Sequence, residues 1–246
     1  GCGIHPLLQT RGMNEPLRIR YRFDLPDGSQ RTLEFSFDPT TFKLQNPPPA
    51  DPPFWTELKF NRCANCPLNE QDHPHCPAAL QMAAALEPLK ALVSFDTVGV
   101  TVLQFERKVY AETSVQQAMS SVFGLIMATS GCPWTDRLRP MARFHVPFAG
   151  ETETLYRSVS MYLLSREFVP REKRGADTGG FAALEDLYRN LHIVNRDMSR
   201  RLGAAAATDP ARNAIALLDS FTLLLPAALE RSLDELQPLF TGWQTP

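Results

Sequence analysis

Leu17-Arg18-Ile19-Arg20-Tyr21-Arg22-Phe23 alternates without a break, with apolar side chains at 17, 19, 21 and 23 and arginines between them. Successive side chains of a strand point to opposite faces, so this stretch predicts a strand with one buried and one wet face. Thr32-Leu-Glu-Phe-Ser-Phe37 repeats the pattern, and Pro26-Asp27-Gly28 between them is turn chemistry. Together they predict an antiparallel β-hairpin. The Arg18/Arg20/Arg22 row reads as the solvated face, opposed by Glu34 across the hairpin, in preference to a polyanion contact.

Outward from the hairpin, residues 38–53 are punctuated by Asp-Pro, Asn-Pro-Pro-Pro and Asp-Pro-Pro and predict an extended loop. Phe54 to Phe60 predicts a short strand. Ala78 to Leu92, rich in Ala, Leu and Met, predicts a helix that Pro88 limits or bends. Ser94 to Glu112 returns to strand composition, with further strands around Gly99 and Arg107-Lys108. Near Thr113 the apolar period changes from two to 3.6 residues. Thr113-Ser-Val-Gln116 resembles a capping box, Val115, Met119, Val122 and Ile126 form a helical stripe, and Gly131 is a natural stop.

From Glu151 onward the pattern is helical throughout. One stripe is Leu155, Val159, Tyr162 and Leu163, and a second is Leu184, Leu187, Tyr188, Leu191, Met198 and Leu202. Ile215, Leu218, Phe221 and Leu225 follow, then Leu229, Leu233, Leu236 and Phe240. The charged, Gly-bearing stretch Pro170 to Gly180 marks the best internal boundary. The expected fold class is α+β, an N-terminal antiparallel sheet with packed helices and a helical C-terminal region. The expected domains are 17–170, carrying a four-cysteine site, and 180–243, a helical subdomain. Residues 1–16 carry little pattern. Met13 is a candidate start, and Cys2 and His5 are left out of the site.

Apolar residues make up 43% and charged residues 21% of the 246, and the net charge is −2. That balance gives no general attraction to nucleic acid or an anionic membrane. No apolar run is long enough to span a bilayer, and no secretory signal is visible. Four of the five cysteines gather into one motif, which fits a reducing cytoplasm and a metal site better than a disulfide framework.

That motif is Cys63-Ala-Asn-Cys66-Pro, followed by His73-Pro-His75-Cys76-Pro and, far along the chain, Ser130-Gly-Cys132-Pro133. Cys-x-x-Cys places two thiols on one tight turn, Cys76 closes the loop, and Cys132 supplies a fourth ligand from a helix end. Proline is preferred at the first position of a helix, so Cys76 and Cys132 are expected at helix N-termini, where the partial positive charge favours thiolates. Four thiolates suit structural zinc, and the same set suits an iron–sulfur cluster. His73 and His75 are candidate additional ligands, read first as part of the loop around the site. A second segment, Arg137-Leu-Arg139-Pro-Met-Ala-Arg143-Phe-His145-Val-Pro-Phe148, mixes cations, aromatics and a histidine. In extended form Phe144, Val146 and Phe148 share one face and Arg143 and His145 the other. Arg137, Arg139, Arg143 and His145 are candidates for a small-anion site, weighed against plain surface charge and a satisfied histidine. His145 is also a candidate additional metal ligand. GxSxG, P-loop, GxGxxG and HExxH motifs are absent from the sequence.

The combination Cys63-x-x-Cys66-Pro-Leu, His73-Pro-His-Cys76-Pro, Ser130-Gly-Cys132-Pro and Pro140-Met-Ala-Arg-Phe-His145-x-Pro-Phe148 resembles a family of uncharacterised bacterial proteins. The likeness extends to Glu153-Thr-Leu-Tyr-Arg157 and Met161-Tyr-Leu-Leu164, so it covers residues 17 to 170. It implies a bacterial, four-cysteine domain of unknown function and brings no established activity. Two functional classes therefore stand side by side. The first is a regulatory or scaffold protein locked by structural zinc, with a protein partner or small anion. The second is an iron–sulfur or thiol redox sensor or enzyme using the adjacent Arg/His segment.

Overall fold

A computed structural model describes residues 16–105, 107–170, 180–205, 209–231 and 233–243. The expected hairpin forms as β1 (Leu17–Asp24) and β2 (Gln30–Phe37), with Gly28 at φ +81° in the turn, a backbone region where glycine carries no Cβ penalty. β3 (Thr97–Gln104) and β4 (Arg107–Ser114) complete a sheet of order β2-β1-β3-β4, antiparallel throughout. Tyr21 sits opposite Leu33 on one side and Val102 on the other. The alternation of β1 is realised: Ile19, Tyr21 and Phe23 are fully buried. On the wet face Arg20 lies opposite Glu34 and bonds its carboxylate at 2.6 and 2.9 Å. An exposed pair of this kind adds little stability and mainly favours the register.

Helices cover the buried face. α1 (Pro77–Leu86) ends where Pro88 forces a 3-10 turn over Glu87–Leu89. α2 (Val115–Thr129) lays Val115, Met119, Val122, Phe123 and Ile126 on the sheet. Its cap is Ser114, whose hydroxyl accepts from the Gln117 amide, one residue beyond the box read at Thr113. α3 (Arg139–Arg143), α4 (Glu151–Glu167), α5 (Ala182–Ala204), α6 (Asp209–Arg231) and α7 (Leu233–Leu236) follow. The fold is α+β, as expected.

Three local expectations are corrected. Phe54–Thr56 is a 3-10 turn rather than a strand: the Trp55 and Glu57 carbonyls accept from the buried Arg201, and Glu57 meets His75 in an isolated bridge. Residues 137–148 are not extended: Pro140, at the first turn of α3, starts a short helix, and the chain then turns so that His145 is buried while Phe144 is 67% exposed. Cys132 does not begin a helix, since the 3-10 turn after it runs Thr135–Leu138. The boundary read at 170–180 lies mostly at 171–179, outside the described residues. Packing does not divide there. One core joins the sheet, α1 and α2 to Val194, Met198 and Leu202 of α5 and to Ala214 and Ile215 of α6. A second joins Leu155 and Val159 of α4 to Leu184, Leu187 and Leu191 of α5 and to Leu225 and Leu229 of α6.

Candidate metal centre

The Cys63-Ala64-Asn65-Cys66 turn is closed by the Cys66 amide donating to the Cys63 carbonyl at 3.0 Å. Three contacts from distant segments hold it. The Trp134 indole, two residues beyond Cys132, donates to the Asn65 carbonyl at 2.7 Å. The Ala64 amide donates to an Asp197 carboxylate oxygen at 2.8 Å, and the Asn65 side chain donates to Asn190, both on α5. Cys76 is the N-cap of α1, with Pro77 behind it, as its Cys-Pro step implied. Its own amide donates to the Thr56 carbonyl at 2.8 Å.

Through Trp134, the segment that follows Cys132 is tied to the Cys63–Cys66 turn. Burial pushes the Cys63 thiol up to about 12, and the neighbouring Cys76 and Cys132 thiols push the same way, followed by Asp197 and Cys66. Cys76 is also raised, first by burial, against the pull of the Ala79 and Ala78 amides and the Arg201 guanidinium. All four cysteines are free thiols. Among the described residues no group of three or more His, Cys, Asp or Glu side chains stands at metal-binding separations. Cys76 is buried, and Cys63, Cys66 and Cys132 are half-buried. Closing them into one ligand shell requires their protons to leave as a metal arrives.

Arg201 dominates the electrostatics. It is 1% exposed, and its guanidinium donates to the carbonyls of Trp55 and Glu57 at 2.6 Å each and of Leu58 at 3.3 Å. Burial lowers its pKa, while Cys76, Cys63 and Cys66, in that order, raise it. No carboxylate pairs with it among the described residues. Asp197, one turn away, is committed elsewhere. Burial raises its carboxyl, but hydrogen bonds from Arg196 and Ala64 and the nearby cations outweigh that and hold it below the usual range. Asn190, Asp197 and Arg201 lie on one face of α5 (i, i+7, i+11). They are the residues that reading the cysteine motif missed. The available signal was polarity at positions flanked by the core residues Leu191, Val194, Met198 and Leu202.

The histidines stand apart. His73 is exposed, and His75 bonds the Thr56 hydroxyl through Nδ1 at 2.9 Å. His145 is buried and shares a short hydrogen bond with Tyr21, whose hydroxyl also meets Ser121 at 2.9 Å. Burial, then the Arg157 charge, lowers His145 to about 3, so the ring is neutral. The three arginines read as an anion site have separate neighbours. Arg139 pairs with Asp136 at 2.7 Å, Arg137 lies over Trp134, and Arg143 lies over Phe105, Phe42 and Phe144. No helix is long and apolar enough to cross a membrane among the described residues.

The chain belongs to the family described as Domain of unknown function (DUF6901), whose model matches residues 19–241. The match therefore runs past residue 170 into the C-terminal helices. No curated protein and no solved structure matches the chain.

Proposed function

We propose that this is a metal-binding protein in which Cys63, Cys66, Cys76 and Cys132 hold one structural ion, serving a cytoplasmic scaffold or regulatory role. The observation that carries the reading is Arg201. A buried guanidinium without an anion costs several kcal/mol, and the groups within its reach that can take up the opposite charge, as thiolates, are Cys76, Cys63 and Cys66. Four thiolates around a divalent cation carry net negative charge, which Arg201 and the α1 N-terminus offset. An all-thiolate donor set suits zinc in a closed, structural site. Bound there, the ion supplies cross-linking free energy. The protein's part is to tie the 60–77 loop to the end of α2 and to α5.

Metal analysis of the purified protein is the direct test, with a stoichiometric, colourless ion expected. A brown protein absorbing in the visible would keep the thiolate centre and replace zinc by an iron–sulfur cluster. Cys132→Ser is expected to lower both metal content and melting temperature, with hydrogen exchange rising most over residues 60–77. A Cys132→Ser protein that melts like wild type and keeps its metal would refute the structural reading.

A further inference from the structure

Away from the cysteines, a cavity of about 180 Å³ opens between α2, α3, α4, α5 and α6. None of the four cysteines lines it. Its wall is largely apolar, with Leu125, Leu138, Met141, Phe148, Leu218 and Phe221 contributing. Into this wall are set a few polar groups, the usual composition of a small-molecule site. Asn195 lines the cavity and is only 4% exposed, yet its side-chain amide makes no hydrogen bond among the described residues. A ligand group that bonds this amide would use donor and acceptor positions that the fold leaves open toward the cavity.

Arg157 lines the same cavity from α4. Its guanidinium is fixed by the Met141 carbonyl at 2.6 Å and the Phe144 carbonyl at 3.0 Å. Burial lowers its pKa against the opposing charge of exposed Glu153, which makes no ion pair with it. A cation held by carbonyls, half-buried and without a carboxylate partner among the described residues, is suited to an anionic ligand. The other polar walls are neutral: His145 carries no charge, and the Tyr188 hydroxyl is bonded to Ser158 at 2.6 Å.

The geometry points to a binding site for a small apolar monocarboxylate, its carboxylate on Arg157 and Asn195 and its body against the apolar wall. Size agrees, since a cavity of about 150 Å³ lined by apolar side chains accepts benzene. The site is independent of the metal reading, because no cysteine takes part.

Benzoate is the probe, titrated by calorimetry into the full chain as purified, with benzyl alcohol as the uncharged control. Saturable benzoate binding is expected, with amide shifts in α2, α4 and α5, and benzyl alcohol should bind at least about tenfold more weakly, as loss of a charge-assisted hydrogen bond implies. Arg157→Gln should lower benzoate affinity by a similar factor and leave benzyl alcohol unchanged. Should Arg157→Gln fail to fold, Asn195→Leu decides, since it keeps the helix packed and removes only the amide, and it should weaken benzoate several-fold. The proposal is overturned if benzoate does not bind saturably, if benzyl alcohol binds as tightly, or if the folded variants keep wild-type affinity.

Discussion

Arg201 joins two halves of the chain through one guanidinium, and its removal has two separable effects. Arg201→Met leaves the carbonyls of Trp55, Glu57 and Leu58 without their donor, at about 1–3 kcal/mol for each group that stays buried. It also removes the cation facing the thiols, so metal affinity should fall. Arg201→Lys keeps the charge but cannot fork across three acceptors. It should therefore retain more metal affinity than stability. Urea midpoints and competition with a chelator measure the two effects. Equal metal affinity in wild type and Arg201→Met would remove the electrostatic role assigned to Arg201.

His145 gives a pH dependence of definite sign. Its folded-state pKa is about 3 against an ordinary 6.5, so the unfolded chain binds a proton that the folded chain refuses. Its contribution is fully present above pH 6.5 and is lost as pH falls from there toward 3. Each unit of difference is worth about 1.4 kcal/mol, so the loss amounts to a few kcal/mol at most. Acid would also protonate the thiolates of the proposed metal site, an effect common to any variant that keeps the cysteines. The expected result is a shallower acid slope for His145→Gln than for wild type in urea midpoints taken across that range. Parallel slopes would mean that the buried imidazole titrates normally.

At the scale of elements, α2 is bounded by two small residues with distinct jobs. Ser114→Ala removes the cap that accepts from Gln117 and should cost about 1 kcal/mol. Gly131 stands at φ +94° just past the helix end, and a Cβ there would meet no atom within 4 Å. Gly131→Val is therefore destabilising through backbone strain alone, by about 1 kcal/mol or more, and Gly131→Asn should be milder. Because Cys132 is the next residue, Gly131→Val should also reduce metal retention. Melting curves with parallel metal analysis test both, and a Val variant as stable as the Asn variant would contradict the strain argument.

The strands, α1 and α2 were legible because alternation and the 3.6-residue stripe persist over whole elements. Errors fell where two local rules compete. Thr113-x-x-Gln116 and Ser114-x-x-Gln117 both satisfy a capping box, and the pairing of β4 through Ser114 with Thr97 decides between them. The alternation of Phe144, Val146 and Phe148 suggested an extended segment, but Pro140 is a helix-start residue and won. The motif behind the proposed cysteine grouping could be read from Cys-x-x-Cys and the repeated Cys-Pro. Its anchors on α5 could not, since hydrogen bonds such as Ala64 to Asp197 join residues with no sequence pattern in common.

For the whole molecule, α5 is the shared part. Its first half, with Leu184, Leu187 and Leu191, packs in the second core, and its second half, with Val194, Met198 and Leu202, packs in the first. From one face Asn190 and Asp197 hold the Cys63–Cys66 turn and Arg201 the Trp55–Leu58 segment before it, while Tyr188, Leu191 and Asn195 line the cavity from another. A metal that ties the 60–77 loop down would thereby restrain the helix that carries Asn195. If both sites bind as proposed, each ligand benefits from order the other has already imposed, and their affinities are coupled. Linkage requires the coupling to be reciprocal. Chelator-stripped protein should bind benzoate more weakly than loaded protein, and saturating benzoate should tighten metal binding by the same factor. Hydrogen exchange should locate the loosening along α5 rather than in the β1–β2 hairpin. Identical benzoate affinities in the two forms, with both ligands still bound, would show that α5 is rigid enough without the metal and that the two sites act independently.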